Sequence, residues 1–380
     1  MTIIEKTDKY VMQSYGRLPA VIENAEQYID FGSGVGTNSL GYCDDDWVNA
    51  VCRQAKLMQH TSNYYYNTPS ADFAEKLCDI TGYTNVFFGN SGAEANECAI
   101  KTARKYSFDK YGKGRHTIIT LKNSFHGRTL ATISATGQDD FHNYFFPFLD
   151  GFVYAEPNDT VDLAEKLGSH VCAVMLEYVQ GEGGVCPLEQ DFVDMVYMLC
   201  AEKDVLVIAD EVQTGAGRTG KFLCQEHFGH KADIVTMAKG LFGGLPGGVC
   251  LFGEKCSEVL TAGTHGSTYG GNPVVMSGGI VVLDKVSQPE FLSEVIKKGD
   301  YIREKLSAVN EIASIDGKGL MLGITLKSKN AKEVMKKALD NGLLVLVAKE
   351  KVRLLPPLTI TYDDLDKGLE ILINILGEKT

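Results

Sequence analysis

An acidic and a basic side chain, each directly after a short apolar run, are the residues best suited to chemistry. Residues 205–209 are apolar and rich in β-branched types, and Asp210 follows them; residues 234–238 are largely apolar, and Lys239 follows them. Runs of this length and composition predict strands that are buried on both faces of a parallel sheet. Because ligands bind beyond the carboxyl ends of such strands, we expect Asp210 and Lys239 to share one edge of the sheet.

A lysine at that edge is suited to Schiff-base formation with an aldehyde. An ordinary lysine has a pKa of about 10.4 and is a poor nucleophile at neutral pH, but desolvation or cationic neighbours lower the pKa and free the amine. A nearby carboxylate suits a cofactor with a protonated ring nitrogen, and pyridoxal phosphate has that nitrogen, an aldehyde and a phosphate. The alternative is that Asp210 and Lys239 are unrelated surface charges after two core strands.

Predicted strands and helices alternate from residue 85 to residue 240. Further strands are predicted at 85–88, 117–121, 171–177 and 249–252. Helices are predicted at 48–58 and 190–203. This alternation predicts an α/β fold whose large domain has a mostly parallel, doubly wound sheet.

The pattern changes from about residue 289, where a smaller α+β domain is predicted. Its expected helices are 291–309, 331–341 and 362–376, and its expected strands are 321–327, 343–347 and 352–355. We therefore expect three parts. An N-terminal segment, 1–60, contributes to the small domain and the active-site mouth; a large cofactor-binding domain covers 61–283; the small C-terminal α+β domain covers 284–380.

A run of small and polar residues, 89–97, joins the predicted strand at 85–88 to a helix that ends near residue 106. Backbone N–H groups at the start of such a helix, together with the positive end of the helix dipole, can hold a phosphate. The alternative is an N-cap formed by Ser91 and completed by Glu94. The two interpretations are compatible, because the cap is where an anion would bind.

Phe125 and Arg128 lie in the loop after the predicted strand at 117–121. The Phe125 ring could stack on a planar cofactor, and the Arg128 guanidinium could pair with a carboxylate. Packing of Phe125 in the core and a solvated charge at Arg128 are equally open interpretations.

Two other polar segments also allow two interpretations. Three consecutive tyrosines, at 64–66, could line a cleft, but we favour packing at a domain junction. The hydroxyl groups of Ser267 and Thr268 could reach a phosphate, although capping of their own loop is the usual role of such residues.

The amino-acid composition limits the classes of protein to which the chain can belong. The 380 residues, 44% hydrophobic and 23% charged, are typical of a globular protein with two domains. The net charge of -12 argues against broad nucleic-acid binding, although local charge can still attract an anionic ligand. The ten cysteines form no C-x-x-C pair, so we expect no metal site and reduced thiols. With no apolar signal core and no run long enough to cross a membrane, we expect a cytoplasmic protein.

Five motifs occur in order along the chain. They are Ser-Gly-Ala-Glu at 91–94, Ser-Phe-His-Gly-Arg at 124–128, Asp-Glu-Val-Gln-Thr-Gly at 210–215, Ala-Lys-Gly at 238–240 with the glycine loop after it, and Gly-Ser-Thr-Tyr-Gly-Gly-Asn-Pro at 266–273. Together they resemble the class III pyridoxal-phosphate aminotransferases, which have the aspartate-aminotransferase fold type. The resemblance covers nearly the whole chain.

The resemblance implies a set of cofactor contacts. They are made by Gly92, Ala93, Phe125, Asp210, Glu211, Val212, Gln213, Lys239 and Thr268. Lys239 would bond covalently to pyridoxal phosphate, Asp210 would pair with its ring nitrogen, and Gln213 would reach its phenolic oxygen. Phe125 would stack on the ring. Thr268 would complete the phosphate site from the neighbouring subunit, which implies a homodimer with shared active sites.

The resemblance also implies how two substrates, an amino donor and 2-oxoglutarate, are held. Arg353 would bind the α-carboxylate of glutamate or 2-oxoglutarate, and Glu182 would neutralise Arg353 when an ω-amine is bound. Arg128 and Ser267 would hold the acylated end of an N-acetylornithine-like donor. The apolar Val35 offers no partner to a free α-ammonium group, which suits an acylated amine.

Other interpretations remain open. Donors of the same type are ornithine, succinylornithine, 4-aminobutyrate and acyl-diaminopimelate. Two details depart from the commoner pattern of the family: Tyr178 stands where proline is more frequent, and two leucines follow Arg353. A non-catalytic binding protein on the same fold is a different class of function. A nucleotidase is disfavoured, because the chain has no G-x-x-x-x-G-K-[ST] motif.

Overall fold

A computed structural model describes residues 1–378. The helices within that range are α1 Ile3–Tyr10, α2 Ser33–Gly36, α3 Asp45–Leu57, α4 Thr68–Thr81, α5 Gly92–Tyr111, α6 Leu130–Ala135, α7 Thr160–Lys166, α8 Gln190–Lys203, α9 Pro273–Val286, α10 Pro289–Leu306, α11 Ala331–Asp340 and α12 Tyr362–Gly377. Short 3-10 helices occur at Asp139–Phe141, Cys224–Phe228 and Lys239–Phe242.

The strands belong to four sheets. They are β1 Ile29–Asp30, β2 Asn85–Gly89, β3 Thr117–Leu121, β4 Phe152–Ala155, β5 Val171–Leu176, β6 Val179–Gln180, β7 Cys186–Pro187, β8 Leu206–Asp210, β9 Ile234–Met237, β10 Gly248–Phe252, β11 Ile312–Lys318, β12 Met321–Leu326, β13 Leu343–Leu344, β14 Leu346–Ala348 and β15 Lys351–Leu354. Among the described residues, none of the helices has both the length and the apolar character needed to cross a lipid bilayer.

The central sheet has seven strands in the order β2-β10-β9-β8-β5-β3-β4. Strand β10 is antiparallel to both of its neighbours, and the remaining pairs are parallel. Every residue of β3, β5, β8, β9 and β10 is buried, which is why these strands read as continuous apolar runs in the sequence. The prediction of an α/β fold with a mostly parallel sheet is confirmed.

The sheet brings the chemical residues to one edge. Strands β9, β8, β5 and β3 are consecutive neighbours and run in the same direction. Their carboxyl ends lead directly to Lys239, Asp210, Glu177 and the loop that holds Phe125. Lys239 and Asp210 lie close together, because Asp210 pairs with Thr236, three positions before Lys239, in the register of β8 and β9.

A smaller antiparallel sheet, β11-β12-β15-β14, lies in the C-terminal part of the chain and contains Arg353 in β15. Strand β1 pairs in parallel with β13, so the N-terminal segment joins this part of the molecule. Arg218 links the central region to it, since its guanidinium donates to the carbonyl groups of Leu320 and Pro356. The limits of the three predicted parts, at residues 60 and 283, stay a prediction.

Sequence patterns missed helix α9 because its interior contains Gly278 and Gly279, which disfavour helices. The segment is nevertheless helical, because its tertiary packing requires these two glycines. A Cβ atom at Gly278 would lie 2.8 Å from the indole nitrogen of Trp47, and one at Gly279 would lie 2.5 Å from the Phe73 ring. The glycines let α9 approach α3 and α4 closely, and Asn272 caps its start by accepting from two backbone N–H groups.

Candidate active site

A cavity of about 450 Å³ opens at the carboxyl edge of the central sheet. Nine of the predicted site residues line it: Gly92, Ala93, Phe125, Arg128, Glu182, Asp210, Val212, Gln213 and Lys239. The acid and the amine therefore lie in one cavity, as expected from the sequence. The interpretation of Asp210 and Lys239 as unrelated surface charges is wrong.

Asp210 is almost fully buried, and both of its carboxylate oxygens have hydrogen-bond partners. Its Oδ2 lies 2.8 Å from His126 Nδ1 and accepts from Asn96 Nδ2 at 2.8 Å, while Oδ1 accepts from the backbone N–H of Val212 at 3.1 Å. Thr236 donates to Asn96 Oδ1 at 2.6 Å, which fixes the orientation of the Asn96 amide. Hydrogen bonds to both oxygens hold the carboxylate in place at the cavity, where it can meet a cationic group.

Lys239 begins the 3-10 helix Lys239–Phe242 with a φ of 43°, in the left-handed region that side chains rarely adopt. Burial lowers the pKa of the Lys239 ammonium below its usual value. The carboxylates of Glu182 and Asp210 oppose this shift, and the positive charge of Arg353 reinforces it. The amine is therefore easier to deprotonate than an ordinary lysine, as Schiff-base chemistry requires.

The start of α5 forms another wall of the cavity. Ser91 caps the helix by accepting from the N–H of Glu94 at 3.2 Å, and the N–H groups of the first turn have no partner within the helix. A Cβ atom at Gly92 would lie 2.7 Å from Val212 Cγ1, so glycine is needed for this close approach. The two interpretations of this segment are therefore compatible: Ser91 caps the helix, and Gly92 and Ala93 in its first turn line the cavity.

Phe125 and Arg128 stand together at the cavity wall. The Phe125 ring meets Phe141 edge-on, with 5.6 Å between centroids, and the Arg128 guanidinium lies 4.4 Å from the Phe141 ring centre. Phe125 is only partly buried and Arg128 is exposed. Core packing is thus excluded for Phe125, and Arg128 is a solvated charge at the entrance that remains available to a ligand.

Arg353 is almost fully buried and reaches the cavity only through its partners. Its Nη1 donates to Glu182 Oε1 at 2.6 Å and to Gln213 Oε1 at 3.2 Å. Burial alone would raise the pKa of Glu182, but the charge and hydrogen bond of Arg353 outweigh it, so this pKa lies below its usual value. Arg353 Nε has no hydrogen-bond partner within residues 1–378. Glu182 therefore occupies Nη1 only, and a carboxylate that binds Nη1 must displace Glu182.

Comparison with known proteins shows the family. Residues 18–376 match the sequence profile of the family described as Aminotransferase class-III. The chain belongs to this family. The chain is 46% identical to the acetylornithine aminotransferase of Haemophilus ducreyi over 97% of both chains, and 42% identical to that of Aquifex aeolicus over 97% of this chain and 100% of the relative.

Solved structures of the same family superimpose on the aminotransferase over nearly its whole length. The ornithine aminotransferase from Toxoplasma gondii gives a TM-score of 0.93 at 30% identity, and covers 98% of this chain and 94% of its own. The N-acetylornithine aminotransferase from Stenotrophomonas maltophilia gives 0.85 at 32% identity, over 98% of both chains. Class III aminotransferases depend on pyridoxal phosphate. The enzyme therefore uses a small-molecule amino donor and acceptor.

The cavity fits that cofactor. A buried carboxylate with hydrogen-bond partners on both oxygens, an amine with a lowered pKa and the start of a helix all line the cavity. These groups match the ring nitrogen, the aldehyde and the phosphate of pyridoxal phosphate.

The side chain of Glu211, which was predicted to contact the cofactor, does not line the cavity. Its carboxylate is buried away from the cavity and accepts from Thr214 Oγ1 at 2.7 Å and from the backbone N–H groups of Cys224 and Gln225, each at 2.8 Å. Burial raises the pKa of Glu211 to about 7, and these hydrogen bonds act in the opposite direction. Glu211 therefore holds the 224–225 segment against the sheet.

Three other predicted residues do not line the cavity of the aminotransferase chain. Val35 has a φ of 62° and packs against the apolar core. Ser267 accepts from Asn90 Nδ2 at 3.0 Å and from its own loop at Gly270, as a loop cap does. Thr268 lies beside Ser267 at a separate surface groove.

Sequence patterns missed several groups that shape the site. His126 was visible only as part of a motif, and Asn96 and Thr236 gave no signal, because their role depends on side chains from α5 and β9 meeting at Asp210. Tyr64, Tyr65 and Tyr66 were expected to pack at a domain junction, but all three are highly exposed in this chain.

Proposed function

We propose that this aminotransferase transfers the δ-amino group of N2-acetyl-L-ornithine to 2-oxoglutarate, giving N-acetyl-L-glutamate 5-semialdehyde and L-glutamate, a step of arginine biosynthesis. The contact between Glu182 and Arg353 carries this proposal. An enzyme that takes an amine in one half-reaction and a dicarboxylate in the other needs an arginine that can be neutralised and released. Relatives at 39–46% identity that are named acetylornithine aminotransferase support the choice of donor.

We propose that Lys239 and Asp210 act at opposite ends of the cofactor ring. Pyridoxal phosphate, when bound, supplies an aldehyde for the lysine and a ring that draws electrons from the donor carbon. Lys239 would take the proton from the δ-carbon of the donor as general base and, as general acid, deliver it to the carbon that was the aldehyde carbon of the cofactor. Asp210, fixed by His126 and Asn96, keeps a proton on the ring nitrogen, so the ring stays electron-poor.

The remaining cofactor contacts hold the ring in place. Phe125 stacks on the ring, and Gln213 reaches its phenolic oxygen. The backbone N–H groups of Gly92 and Ala93 receive the phosphate, and Val212 packs against Gly92 and the ring. These assignments are supported by the position of all five residues on the cavity wall.

Substrate binding is proposed to use both arginines. Arg353 binds the α-carboxylate of 2-oxoglutarate or glutamate after Glu182 moves, and Glu182 neutralises Arg353 while the donor is bound. Arg128, at the entrance, holds the acylated end of the donor. A contribution from Ser267 needs its loop to approach the site, and contact with Val35 needs a rearrangement of its turn.

A panel of amino donors at equal concentration tests the proposed substrate. The donors are N-acetylornithine, N-succinylornithine, ornithine, 4-aminobutyrate and an N-acyl-diaminopimelate, each with 2-oxoglutarate. We expect kcat/KM to be highest for N-acetylornithine, with stoichiometric glutamate. A higher kcat/KM for ornithine or 4-aminobutyrate would overturn the proposed donor. No turnover with any donor, at saturating cofactor, would favour a binding protein.

We propose a homodimer in which Thr268 completes the phosphate site of a second copy. The position of Thr268 outside the cavity of its own chain supports this, as do the exposed tyrosines at 64–66. Hybrid dimers of Lys239→Ala and Thr268→Val chains test it, since one of their two sites would then be intact. We expect wild-type cofactor affinity at one of the two sites and about half of the wild-type activity; a hybrid no better than its parents would refute the shared site.

We also propose that the enzyme works in the cytoplasm. Its ten cysteines would stay reduced there, and six of them are buried thiols of the core. Fractionation of cells that produce the enzyme, with activity measured in each fraction, tests the location.

A further inference from the structure

Glu177 lies at the end of β5, between two segments of the cavity wall, and is 5% exposed. The first segment is the loop 122–128, which holds Phe125, and the second is the turn 180–183, which holds Glu182. Glu177 Oε1 accepts from the backbone N–H of Phe125 at 2.9 Å, and Oε2 accepts from the backbone N–H of Gly181 at 3.2 Å. One carboxylate therefore joins both segments through their main chains.

The loop 122–128 and the turn 180–183 also meet at two other points. Gln180 Nε2 donates to the carbonyl of Lys122 at 2.8 Å. A Cβ atom at Gly183 would lie 2.5 Å from the carbonyl oxygen of Asn123, so the two backbones are in close contact. Movement of one segment must consequently move the other or break these contacts.

The turn 180–183 in turn sets two side chains of the cavity. A Cβ atom at Gly181 would overlap the amide oxygen of Gln213, so Gln213 rests directly on the turn. Glu182, the next residue, pairs with Arg353 at 2.6 Å, and Gly181 itself accepts from Arg353 Nη1 at 3.3 Å. The position of the turn thus determines where Gln213 and the Glu182–Arg353 pair stand.

We propose that Glu177 is a positioning residue that fixes the loop 122–128 and the turn 180–183 relative to each other, so that the ring-stacking Phe125 and the Glu182–Arg353 pair stay aligned. Its role in the reaction rests on the function proposed above. The mechanical link between the two segments does not.

A purely structural role for Glu177 would be to satisfy two backbone N–H groups, and Glu211 provides the matched comparison. Glu211 follows the neighbouring strand β8, is equally buried and also accepts from two backbone N–H groups, but these belong to Cys224 and Gln225, outside the cavity. Glutamine at either position keeps the size of the side chain but turns an amide N–H₂ towards one of the donors. Glu177→Gln and Glu211→Gln therefore each disturb two backbone N–H groups, and Glu211→Gln also alters the contact with Thr214 Oγ1.

Hydrogen–deuterium exchange of the two variants, without cofactor, tests the link itself. In Glu177→Gln we expect faster exchange in the peptides that contain Phe125 and in those that contain Gly181, and no change at 224–225. In Glu211→Gln we expect faster exchange at 224–225 and no change in the peptides that contain Phe125 or Gly181. Faster exchange of only one segment in Glu177→Gln, or of neither, would overturn the proposal. If Glu177→Gln does not fold, Glu177→Asp, whose carboxylate is one methylene too short to reach both segments, gives the same test.

Ligand binding and kinetics of the holoenzyme then test the role in the reaction. We expect Glu177→Gln to weaken the cofactor and to raise KM for 2-oxoglutarate by about two- to tenfold each, the effect of one lost hydrogen bond. Glu211→Gln should change neither the cofactor affinity nor KM for 2-oxoglutarate, even if it lowers Tm by as much as Glu177→Gln does. Equal effects of the two variants would refute positioning by Glu177. If the wild-type enzyme fails to use N-acetylornithine, the proposed donor is wrong, while the exchange result still decides the link.

Discussion

Replacing Glu182 by glutamine is expected to tighten the binding of dicarboxylates, because it removes the carboxylate that occupies Arg353. The Glu182–Arg353 contact is 2.6 Å long, and the exposed fractions of the two side chains are 31% and 4%. We expect a ligand carboxylate to bind Arg353 at Nη1 and so to displace Glu182. The free energy of the internal pair therefore subtracts directly from the affinity of the ligand.

The size of the effect follows from the burial of the pair. Breaking a fully buried ion pair costs about 3–5 kcal/mol, and an exposed pair contributes only about 0–1 kcal/mol. Arg353 belongs to the first class, but Glu182 is one-third exposed, so we place this pair at about 1–3 kcal/mol. Since about 1.4 kcal/mol corresponds to a tenfold change in affinity, Glu182→Gln should bind a dicarboxylate about 5- to 150-fold more tightly.

Isothermal titration of the holoenzyme with glutarate, an unreactive dicarboxylate, measures this change. Asp316→Asn is the matched control, because it removes an ion pair of 2.7 Å with Lys351, on the same strand as Arg353 but outside the cavity. The control should leave the affinity for glutarate unchanged. An unchanged or weaker affinity in Glu182→Gln would show that Glu182 does not compete for Arg353.

Three further outcomes are expected. Lys239→Ala should slow proton transfer in single-turnover half-reactions by at least about 10²- to 10⁴-fold, and undiminished transfer would remove Lys239 from its role. Gly181→Ala should push Gln213 off the turn, raising the Kd of the cofactor by about two- to tenfold with little change in Tm; a large fall in Tm with unchanged Kd would contradict this. Because burial lowers the pKa of Lys239, its ammonium destabilises the cofactor-free fold at neutral pH, and this penalty vanishes as pH rises towards the unfolded value of 10.5. Lys239→Met should therefore raise the Tm of the cofactor-free enzyme at pH 7, by a margin that shrinks near pH 10; a margin that is constant or grows with pH would refute the assigned burial.

The sequence predicted the central sheet well because its strands are buried on both faces. Continuous apolar runs with β-branched residues are unfavourable on a water-exposed surface, so strands such as β3 were predicted at their observed limits. Helix α8 was also predicted at its observed limits. The shared edge of Asp210 and Lys239 followed from the same reasoning, because the carboxyl ends of parallel strands meet.

The sequence patterns failed where the role of a residue depends on its tertiary contacts. Successive side chains of a strand point to opposite faces, so Asp210 enters the cavity while the adjacent Glu211 turns away, and a motif alone does not tell them apart. The role of Glu177 depends on two segments brought together by the fold, 52 and 4 positions away in sequence. Helix α9 was missed because glycines that weaken a helix locally are needed for its packing against Trp47.

Borohydride reduction of the enzyme with pyridoxal phosphate, followed by digestion and mass spectrometry, tests most directly whether the cavity at the sheet edge is the active site. We expect one pyridoxyl group per chain, on the peptide that contains Lys239, and no label in Lys239→Ala. A label on a different lysine, or no label at saturating cofactor, would contradict the assignment of this cavity.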